Sequence, residues 1–331
     1  MIISKTPYRL SFFGGGTDYN SWFEENPGII ISSTFSKYCY ISLRKLPPFF
    51  DHKTRVSYSK EELVKTNSEI KHPAVRNALK FLNMETGLEI HHDGDLPARS
   101  GIGSSSSFTV GMLNALYALE GRMVSKQKLA DDAIYIEQVL SAEHVGIQDQ
   151  IIASFGGLQI IEMGPNRDYS VSPLILPKEY KDHLESHILL GFTGLSRIAS
   201  ENAKEQIVKI QNGDNASKIR EIYDISLEGL QRFKSHSSLE EIGRLLNESW
   251  KVKRTLTQSV SNQIVEDIYT NAIRQGAYGG KLLGAGGGGF VMFIAPPHRH
   301  EAIKKSLPQM KVWIPFHFEE NGSQIIFSDE S

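Results

Sequence analysis

The sequence predicts an α+β protein of two domains, and three observations support this. The first half is rich in short β-branched and aromatic runs, which are typical of strands. The second half is dominated by long segments with apolar residues at helical spacing, followed by further strand-like runs. A length of 331 residues is more than one average domain needs. We place the boundary after the proline-containing stretch 173–177 and expect domains of 1–182 and 183–331.

Composition excludes several classes of protein. The formal net charge of −2 offers no overall basic field to hold nucleic acid. Cys39 is the single cysteine, which rules out an intrachain disulfide and fits a reducing cytoplasm. No apolar run is long enough to span a membrane, and the first residues lack the apolar core of a signal peptide. We therefore expect a cytoplasmic protein with neither a nucleic-acid nor a membrane partner.

The N-terminal half opens with a strand that runs into glycines. Residues 1–11 have strand character and lead into Phe12-Phe13-Gly14-Gly15-Gly16-Thr17-Asp18-Tyr19. Three consecutive glycines indicate a tight turn where the backbone closely approaches another group. An ordinary hairpin turn is the alternative. Further strands are predicted over 29–34, 38–43, 55–58 and 88–92, and a helix over 72–84.

A second glycine-rich loop spans residues 97–107 and precedes a predicted helix over 108–120. Gly101 and Gly103 permit backbone conformations that a Cβ would forbid and a close approach to a ligand. The first amides of a helix lack intrahelical partners, so with the helix dipole and several hydroxyls this site suits a polyphosphate. A serine hydroxyl there can also ligate Mg²⁺. The alternative is a flexible linker followed by an N-cap.

The next helix carries a glutamate at an unusual place. Ser125 is the expected N-cap, and the buried stripe includes Leu129, Ala133 and Ile136. Glu137 lies beside this stripe and not opposite it. Solvent exposure is the ordinary alternative for a helical glutamate.

The C-terminal half combines helices with a third glycine-rich loop. Residues 281–294 place Gly284-Ala285-Gly286-Gly287-Gly288-Gly289 between two apolar runs, which favours a rigid turn over a linker. Residues 312–318 and 324–327, joined through Glu320-Asn321-Gly322, predict a hairpin. Helices are expected over 198–212, 216–234, 239–256 and 262–275, and a strand over 188–192.

Neither the P-loop nor the Gly-x-Gly-x-x-Gly dinucleotide motif occurs. Three glycine-rich loops, with Gln148-Asp149-Gln150 between the second and the third, resemble instead the pattern of the GHMP kinase superfamily. That superfamily is named for galactokinase, homoserine kinase, mevalonate kinase and phosphomevalonate kinase. The resemblance covers nearly the whole chain, and Pro-x-x-x-Gly-Ile-Gly-Ser-Ser-Ser is its most specific element. It implies a ribosomal-protein-S5-like N-terminal domain and a ferredoxin-like C-terminal domain, with the active site in the cleft between them.

The resemblance also implies an ATP-dependent kinase that uses Mg²⁺, with roles for individual residues. Asp149 would be the catalytic carboxylate near the acceptor hydroxyl, and Arg9 would polarise the acceptor and orient that carboxylate. Ser105 and Glu137 would ligate Mg²⁺. The loop that would bind the ATP phosphates contributes Pro97, Arg99, Ser100, Gly101, Ile102, Gly103, Ser104, Ser105 and Ser106. The residues that would contact the substrate are Gly15, Gly16, Thr17, Asp18, Arg197, Gly286 and Gly287.

These residue types suit phosphoryl transfer. The reaction depends mainly on positioning and on compensating charge over the transferred group, which a metal, helix amides and an arginine supply. A carboxylate within hydrogen-bond reach orients and deprotonates the attacking hydroxyl. For Asp149 the alternative is a turn-forming residue after Gly146, and for Arg9 it is a surface strand residue.

The first motif distinguishes branches of the superfamily. Galactokinases usually have Gly-Glu-His-Thr-Asp-Tyr, where this chain has Gly14-Gly15-Gly16-Thr17-Asp18-Tyr19. The form here is most similar to that of the bacterial D-glycero-D-manno-heptose 7-phosphate kinases. That similarity implies phosphorylation of the anomeric hydroxyl to heptose 1,7-bisphosphate, on the route to GDP-heptose for surface polysaccharide such as capsule. A fucokinase-like or galactokinase-like sugar-1-kinase, or an inactive ATP and sugar sensor, stays as an alternative.

A phosphorylated sugar as substrate requires cationic donors, and the planar fork of arginine suits phosphate best. The candidates are Lys37, Arg99, Arg167 and Arg197, with Arg197 preferred because it follows Thr193-Gly194. The sequence leaves the oligomeric state open, a homodimer included.

Overall fold

Two sheets and the helices packed on them make up the molecule. The computed structural model describes residues 1–165, 168–195, 199–310 and 312–329. The strands are β1 (Ile2–Phe13), β2 (Gly28–Lys45), β3 (Thr54–Ser57), β4 (Glu61–Val64), β5 (Leu88–Gly94), β6 (Leu158–Met163), β7 (Tyr169–Pro173), β8 (Ile188–Phe192), β9 (Gly279–Leu282), β10 (Phe290–Ile294), β11 (Val312–Ile314), β12 (Phe318–Glu319) and β13 (Gln324–Ser328). The predicted α+β class is confirmed.

The helices cover the sheets and connect them. They are α1 (Asn20–Phe23), α2 (Pro73–Phe81), α3 (Ser104–Leu119), α4 (Lys126–Ile134), α5 (Gln148–Phe155), α6 (Lys178–His187), α7 (Ala199–Gln211), α8 (Ala216–Lys234), α9 (Leu239–Lys253), α10 (Gln263–Arg274) and α11 (His300–Ser306). Short 3₁₀ turns span Asn67–Glu69 and Pro297–Arg299. Among the described residues, no helix combines the length and the apolar character that crossing a membrane demands.

The first sheet runs in the order β13-β1-β2-β5-β3-β4, and β6 and β12 also pair with β2. Strand β1, which lies between β13 and β2, alternates in burial over its first residues and is buried on both faces from Thr6 onward. Helix α3 packs on β1, and the end of the strand meets α8, where the rings of Phe12 and Phe233 lie 5.6 Å apart. A strand covered on both sides reads as a nearly continuous apolar run. Arg9 interrupts that run, and it is buried.

The second sheet has the antiparallel order β11-β8-β10-β9 and packs on α9. Close packing requires glycine here, because a Cβ on Gly279 would lie 1.7 Å from the carbonyl oxygen of Gly243 in α9. The third glycine-rich loop connects β9 to β10. It therefore projects from the edge of this sheet towards the second glycine-rich loop.

The predicted terminal hairpin is wrong. Val312–Ile314 pairs with β8 in the second sheet, whereas Phe318–Glu319 pairs with β2 and Gln324–Ser328 with β1. The turn signal at Asn321-Gly322 has a different use: the backbone of these residues packs against Gly156, where a Cβ would lie 2.0 Å away. Tertiary pairing has overridden the local turn preference.

Two further expectations need comment. The two strands predicted within 29–43 form the single strand β2, which reaches from Gly28 to Lys45. The boundary between residues 182 and 183 stays a prediction, and the last two strands return to the first sheet.

Candidate active site

Arg9 and Asp149 meet where β1 passes the start of α5. Arg9 projects from β1, and Asp149 lies in the first turn of α5. The guanidinium donates from Nε to Asp149 Oδ1 at 2.6 Å and from Nη2 to Oδ2 at 3.1 Å. Arg9 is 5% exposed, and the Asp149 side chain is 23% exposed. This bidentate pair holds the carboxylate in one orientation while leaving it accessible.

The second glycine-rich loop is anchored to the same arginine. Arg9 Nη1 donates to the carbonyl of Gly101 at 2.5 Å, and the Arg9 amide donates to Ile102 O at 3.1 Å. Gly103 has φ +72 and caps α3, and a Cβ there would lie 3.2 Å from Asp149 Oδ2. The carboxylate therefore lies beside the N-terminus of α3. At such a terminus the unpaired amides and the helix dipole favour an anion.

Glu137 lies at the base of this loop. The helix that begins after Ser125 becomes π-helical over Tyr135–Leu140, and this places Glu137 in the interior with 1% exposure. Its Oε2 accepts hydrogen bonds from Ser106 Oγ at 2.9 Å and Gln150 Nε2 at 2.5 Å. Burial, together with the nearby charge of Glu143, raises the pKa of Glu137 to about 7. The buried position contradicts the ordinary expectation for a helical glutamate.

A divalent cation fits this part of the site. Glu137 Oε1 is buried and accepts no hydrogen bond in the described part of the chain. In those same residues, no three His, Cys, Asp or Glu side chains gather closely enough to hold a metal ion by themselves. A cation here would take one carboxylate plus hydroxyl and phosphate oxygens, which is how Mg²⁺ is usually bound.

Asp18 is buried below the first glycine turn. It accepts hydrogen bonds from the Gly16 amide and from Gln148 Nε2, both at 3.0 Å. Burial is the main cause that raises the pKa of Asp18 above its usual value, and the charge of Asp149 adds to it. Thr17 holds the turn through hydrogen bonds from its hydroxyl to Gly14 O at 2.9 Å and Ile29 O at 3.0 Å.

The third glycine-rich loop packs directly on the second. A Cβ on Gly284 would lie 2.6 Å from the Gly101 Cα, and one on Gly289 would lie 2.3 Å from Ser100 O. The Phe290 amide also donates to Ser100 O at 2.9 Å. Gly286 and Gly287 lie further away, against Val260. Gly284 and Gly289 therefore contact the backbone of the second glycine-rich loop (residues 97–107), which we call the phosphate loop after the role that the resemblance implies. The predicted pair, Gly286 and Gly287, contacts instead the segment between α9 and α10.

The structure separates the predicted loop residues into two groups. Ser106 contacts Glu137, whereas Ser105, the predicted metal ligand, is exposed at the start of α3. Arg99 is exposed with φ +60, and its amide donates to Ser104 Oγ at 3.2 Å. Pro97 is exposed, and its carbonyl accepts from Ser100 Oγ at 2.6 Å.

The predicted phosphate clamp is tested only in part. Arg167 and Arg197 lie outside the described residues. Lys37 is half-buried on β2, next to the point where the pairing of β2 with β1 shifts register.

Sequence reasoning missed two buried lysines. Lys253, at the end of α9, is 7% exposed and donates to Gly284 O at 2.7 Å. Burial and the charge of Arg9 lower its pKa to about 8. Lys281 is 3% exposed and donates to Phe12 O at 3.0 Å, and burial lowers its pKa well below the usual value.

A signal for Lys253 was present in the sequence. Leu246, Trp250 and Lys253 follow one another at helical spacing, so the lysine lies in the apolar stripe of α9. A charged residue within an apolar stripe indicates a buried partner or a ligand.

Comparison with known proteins identifies the relatives of this chain. A family model described as GHMP kinases N terminal domain matches residues 57–157, and one described as GHMP kinases C terminal matches residues 226–311. Together the two matches cover more than half of the chain. Both contain parts of the site, since the first includes the phosphate loop and Asp149 and the second includes Lys253 and the third glycine-rich loop.

Individual proteins resemble the chain over almost its full length. A D-glycero-alpha-D-manno-heptose 7-phosphate kinase of Campylobacter jejuni is 29% identical, with 97% of each chain covered. A crystal structure of a D-glycero-D-manno-heptose 1-phosphate kinase from Bacteroides thetaiotaomicron shares the fold with a TM-score of 0.76, at 24% identity over 99% of this chain and 100% of the other. A structure of a sugar kinase from Campylobacter jejuni, described as putative, is 27% identical with a TM-score of 0.68, and 98% of each chain is covered.

Proposed function

The chain belongs to the GHMP kinases, and on that premise we propose that it phosphorylates the anomeric hydroxyl of D-glycero-D-manno-heptose 7-phosphate. The products would be heptose 1,7-bisphosphate and ADP, on a route to GDP-heptose. The observation that carries the proposal is the bidentate Arg9–Asp149 pair beside the N-terminus of α3. Similarity to the heptose 7-phosphate kinase of Campylobacter jejuni supports the choice of acceptor.

The pair gives each residue a role in transfer. Asp149 accepts the proton of the attacking hydroxyl and orients its oxygen towards the phosphate loop. Arg9 fixes that carboxylate and, through Gly101, fixes the loop, so nucleophile and phosphate are positioned by one side chain. The amides at the start of α3 would donate to phosphate oxygens as negative charge shifts during transfer.

GHMP kinases use ATP, usually with Mg²⁺. Glu137 is the residue we assign to the metal, with a hydroxyl from Ser105 or Ser106. The ion, when bound, neutralises charge on the phosphates. Within the described residues Glu137 Oε1 is buried without a hydrogen-bond partner, which leaves it able to ligate a metal.

The test is an ADP-release assay with Mg²⁺·ATP against heptose 7-phosphate, galactose, fucose, mannose and mevalonate. We expect the highest kcat/KM with heptose 7-phosphate. When EDTA replaces Mg²⁺, we expect no ADP release with any acceptor. Higher activity with a neutral sugar would keep the kinase assignment and overturn the heptose. No activity with any acceptor, in protein that binds ATP by calorimetry, would favour the sensor.

A further inference from the structure

A small polar space lies over Gly15, between the two halves of the chain. The Lys253 ammonium lies 3.5 Å from the point that a Cβ on Gly15 would occupy, and the Gln148 amide nitrogen lies 4.0 Å from the same point. Gly15 has no positive φ in this structure, so its backbone does not require glycine. What the glycine leaves open is the volume that a side chain at position 15 would fill, next to the lysine and the amide.

Both groups have hydrogen-bonding capacity that the protein does not use. An ammonium has three N–H donors, and in the described part of the chain the one hydrogen bond of Lys253 Nζ is to Gly284 O. Gln148 is 9% exposed, and its Oε1 is buried without a partner within the same residues. Unsatisfied groups at such burial are uncommon in native proteins and call for an explanation. The Gln148 nitrogen, which is the atom that borders Gly15, donates to Asp18 Oδ2 and retains a second N–H. A ligand oxygen over Gly15 would therefore accept hydrogen bonds from both residues.

We propose that Lys253 and Gln148 form a subsite over Gly15 that binds a hydroxyl group of the sugar acceptor. The ammonium and the second N–H of Gln148 Nε2, the amide atom that borders Gly15, both donate to the hydroxyl oxygen. The inference rests on the proposed function and deepens it, because it assigns two residues that hold the acceptor next to Asp149.

The charges around the subsite favour a hydroxyl over a phosphate. Two cations, Arg9 and Lys253, face two carboxylates, Asp18 and Asp149, and the other three groups all act on the ionisation of Lys253. This set is balanced, so it holds no net charge to offset a phosphate dianion. Lys281 adds little positive charge to the subsite, because its ammonium donates a hydrogen bond to Phe12 O and its burial disfavours the charged form.

The subsite also explains a departure in the first motif. The galactokinases that this motif resembles have Glu where this chain has Gly15. A glutamate at this position would project into the space that the Lys253 ammonium borders. The chain therefore supplies a polar group from α9 where those relatives have one in the turn, which makes position 15 a determinant of acceptor choice.

The first test fills the space without disturbing the fold. In Gly15→Ala the new methyl group would be in ordinary contact with Lys253 Nζ, with no backbone strain. We expect the KM for the acceptor to rise about tenfold, while the KM for ATP and the unfolding temperature stay near wild type. Gly164→Ala is the matched control, because a Cβ there meets nothing within 4 Å. An unchanged acceptor KM in Gly15→Ala overturns the subsite.

The second test removes the donor. Lys253→Met keeps the length and apolar stem of the side chain, and Lys251→Met, on the exposed side of α9, is the control. We expect the acceptor KM to rise by tenfold or more with a smaller change in kcat. In wild type the acceptor KM should also rise above pH 8 as Lys253 loses its proton, and Lys253→Met should lose this dependence. A fall in kcat alone, with the pH dependence intact, would assign Lys253 to structure.

The acceptors separate the remaining outcomes. The fold increase in KM should be the same for a sugar and its phosphorylated form, since both carry the hydroxyl. An increase confined to phosphorylated sugars would make Lys253 a phosphate ligand and overturn the proposal. If the wild-type protein turns over no acceptor, the proposed function itself is wrong. If wild type is active and the variants have an unchanged acceptor KM, only the subsite proposal is wrong.

Discussion

The candidate active site has two sides, and they are built in different ways. The first side, which we define as β1, the phosphate loop and α5, carries Arg9, Asp149 and the amides that face a phosphate. The second side, defined as α9 and the loop between β9 and β10, contributes glycine backbone and Lys253. Under the proposed function, the first side would perform the chemistry, and the second would shape the site and complete the acceptor subsite. Substitutions on the two sides should therefore differ in kind, not only in size.

The largest effect is expected on the first side. Asp149→Asn removes the base while conserving shape, so we expect kcat to fall about 10³-fold with little change in either KM. Arg9 loses a charged partner but keeps its bond to Gly101, so the free energy of unfolding should fall by about 1–3 kcal/mol. Turnover measured well below the unfolding temperature separates the two effects. A variant with wild-type turnover would place the base elsewhere.

Glu137→Gln should reduce activity and increase stability. We expect kcat/KM for Mg²⁺·ATP to fall about 100-fold, since the amide is a poor ligand for the metal. Burial raises the pKa of Glu137 to about 7, so the folded state resists its ionisation. Wild-type stability from this group is present at low pH and is lost as pH rises to 7 and above.

At pH 8 the free energy of unfolding of the variant should therefore exceed that of wild type by about 1–3 kcal/mol, and its unfolding temperature should be higher. Near pH 5 the two proteins should be equally stable. Denaturation measured across that range without metal checks the sign. If Glu137→Gln and wild type were equally stable at pH 8 as well as near pH 5, this would contradict burial of an ionised carboxylate in wild type.

The smallest effect on activity is expected from substitutions at the contact between the two sides. Gly101→Ala places a Cβ 2.4 Å from the Leu283 carbonyl oxygen at φ +80. Gly121→Ala has a similar φ of +68 and nothing within 4 Å, so it isolates backbone strain. We expect Gly121→Ala to lower the free energy of unfolding by about 1 kcal/mol and Gly101→Ala by about 3 kcal/mol.

Only Gly101→Ala should raise the KM for ATP, because only that substitution pushes the phosphate loop away from the second side. Equal losses of stability in the two variants would show that φ alone requires glycine at position 101. Thermal denaturation and initial rates at varied ATP suffice for the comparison.

The same contrast shows what the sequence could predict. Arg9, Asp18 and Asp149 stand in short local motifs, and the resemblance of these motifs to the GHMP kinase pattern singles them out. Lys253 stands in an amphipathic helix rich in lysine, where only its place in the apolar stripe distinguishes it. The resemblance of local motifs therefore predicts the residues of the first side, whereas those of the second side become apparent only from the packing of helix on sheet.

Other differences have the same physical origin. Ser106 rather than Ser105 faces Glu137 because the turns of α3 and of the π-helical stretch fix which hydroxyl points inward. The sequence could limit this choice to four neighbouring serines but could not predict the rotation of the helix. The terminal strands were assigned to each other because a turn signal joins them, whereas their true partners lie far away in sequence.

The position of β13 has a consequence for how the chain is made. Its pairing with β1, including the Thr6–Ser323 hydroxyl contact, spans 317 residues of sequence. At a synthesis rate of about 5–20 residues per second, β13 would leave the ribosome's active site roughly 15–60 s after β1. During this time one side of β1 remains an open sheet edge, which invites pairing with other nascent chains. The first sheet is thus completed only after β13 has been synthesised, so a ribosome stalled in α11 would present an aggregation-prone edge of an unfinished sheet.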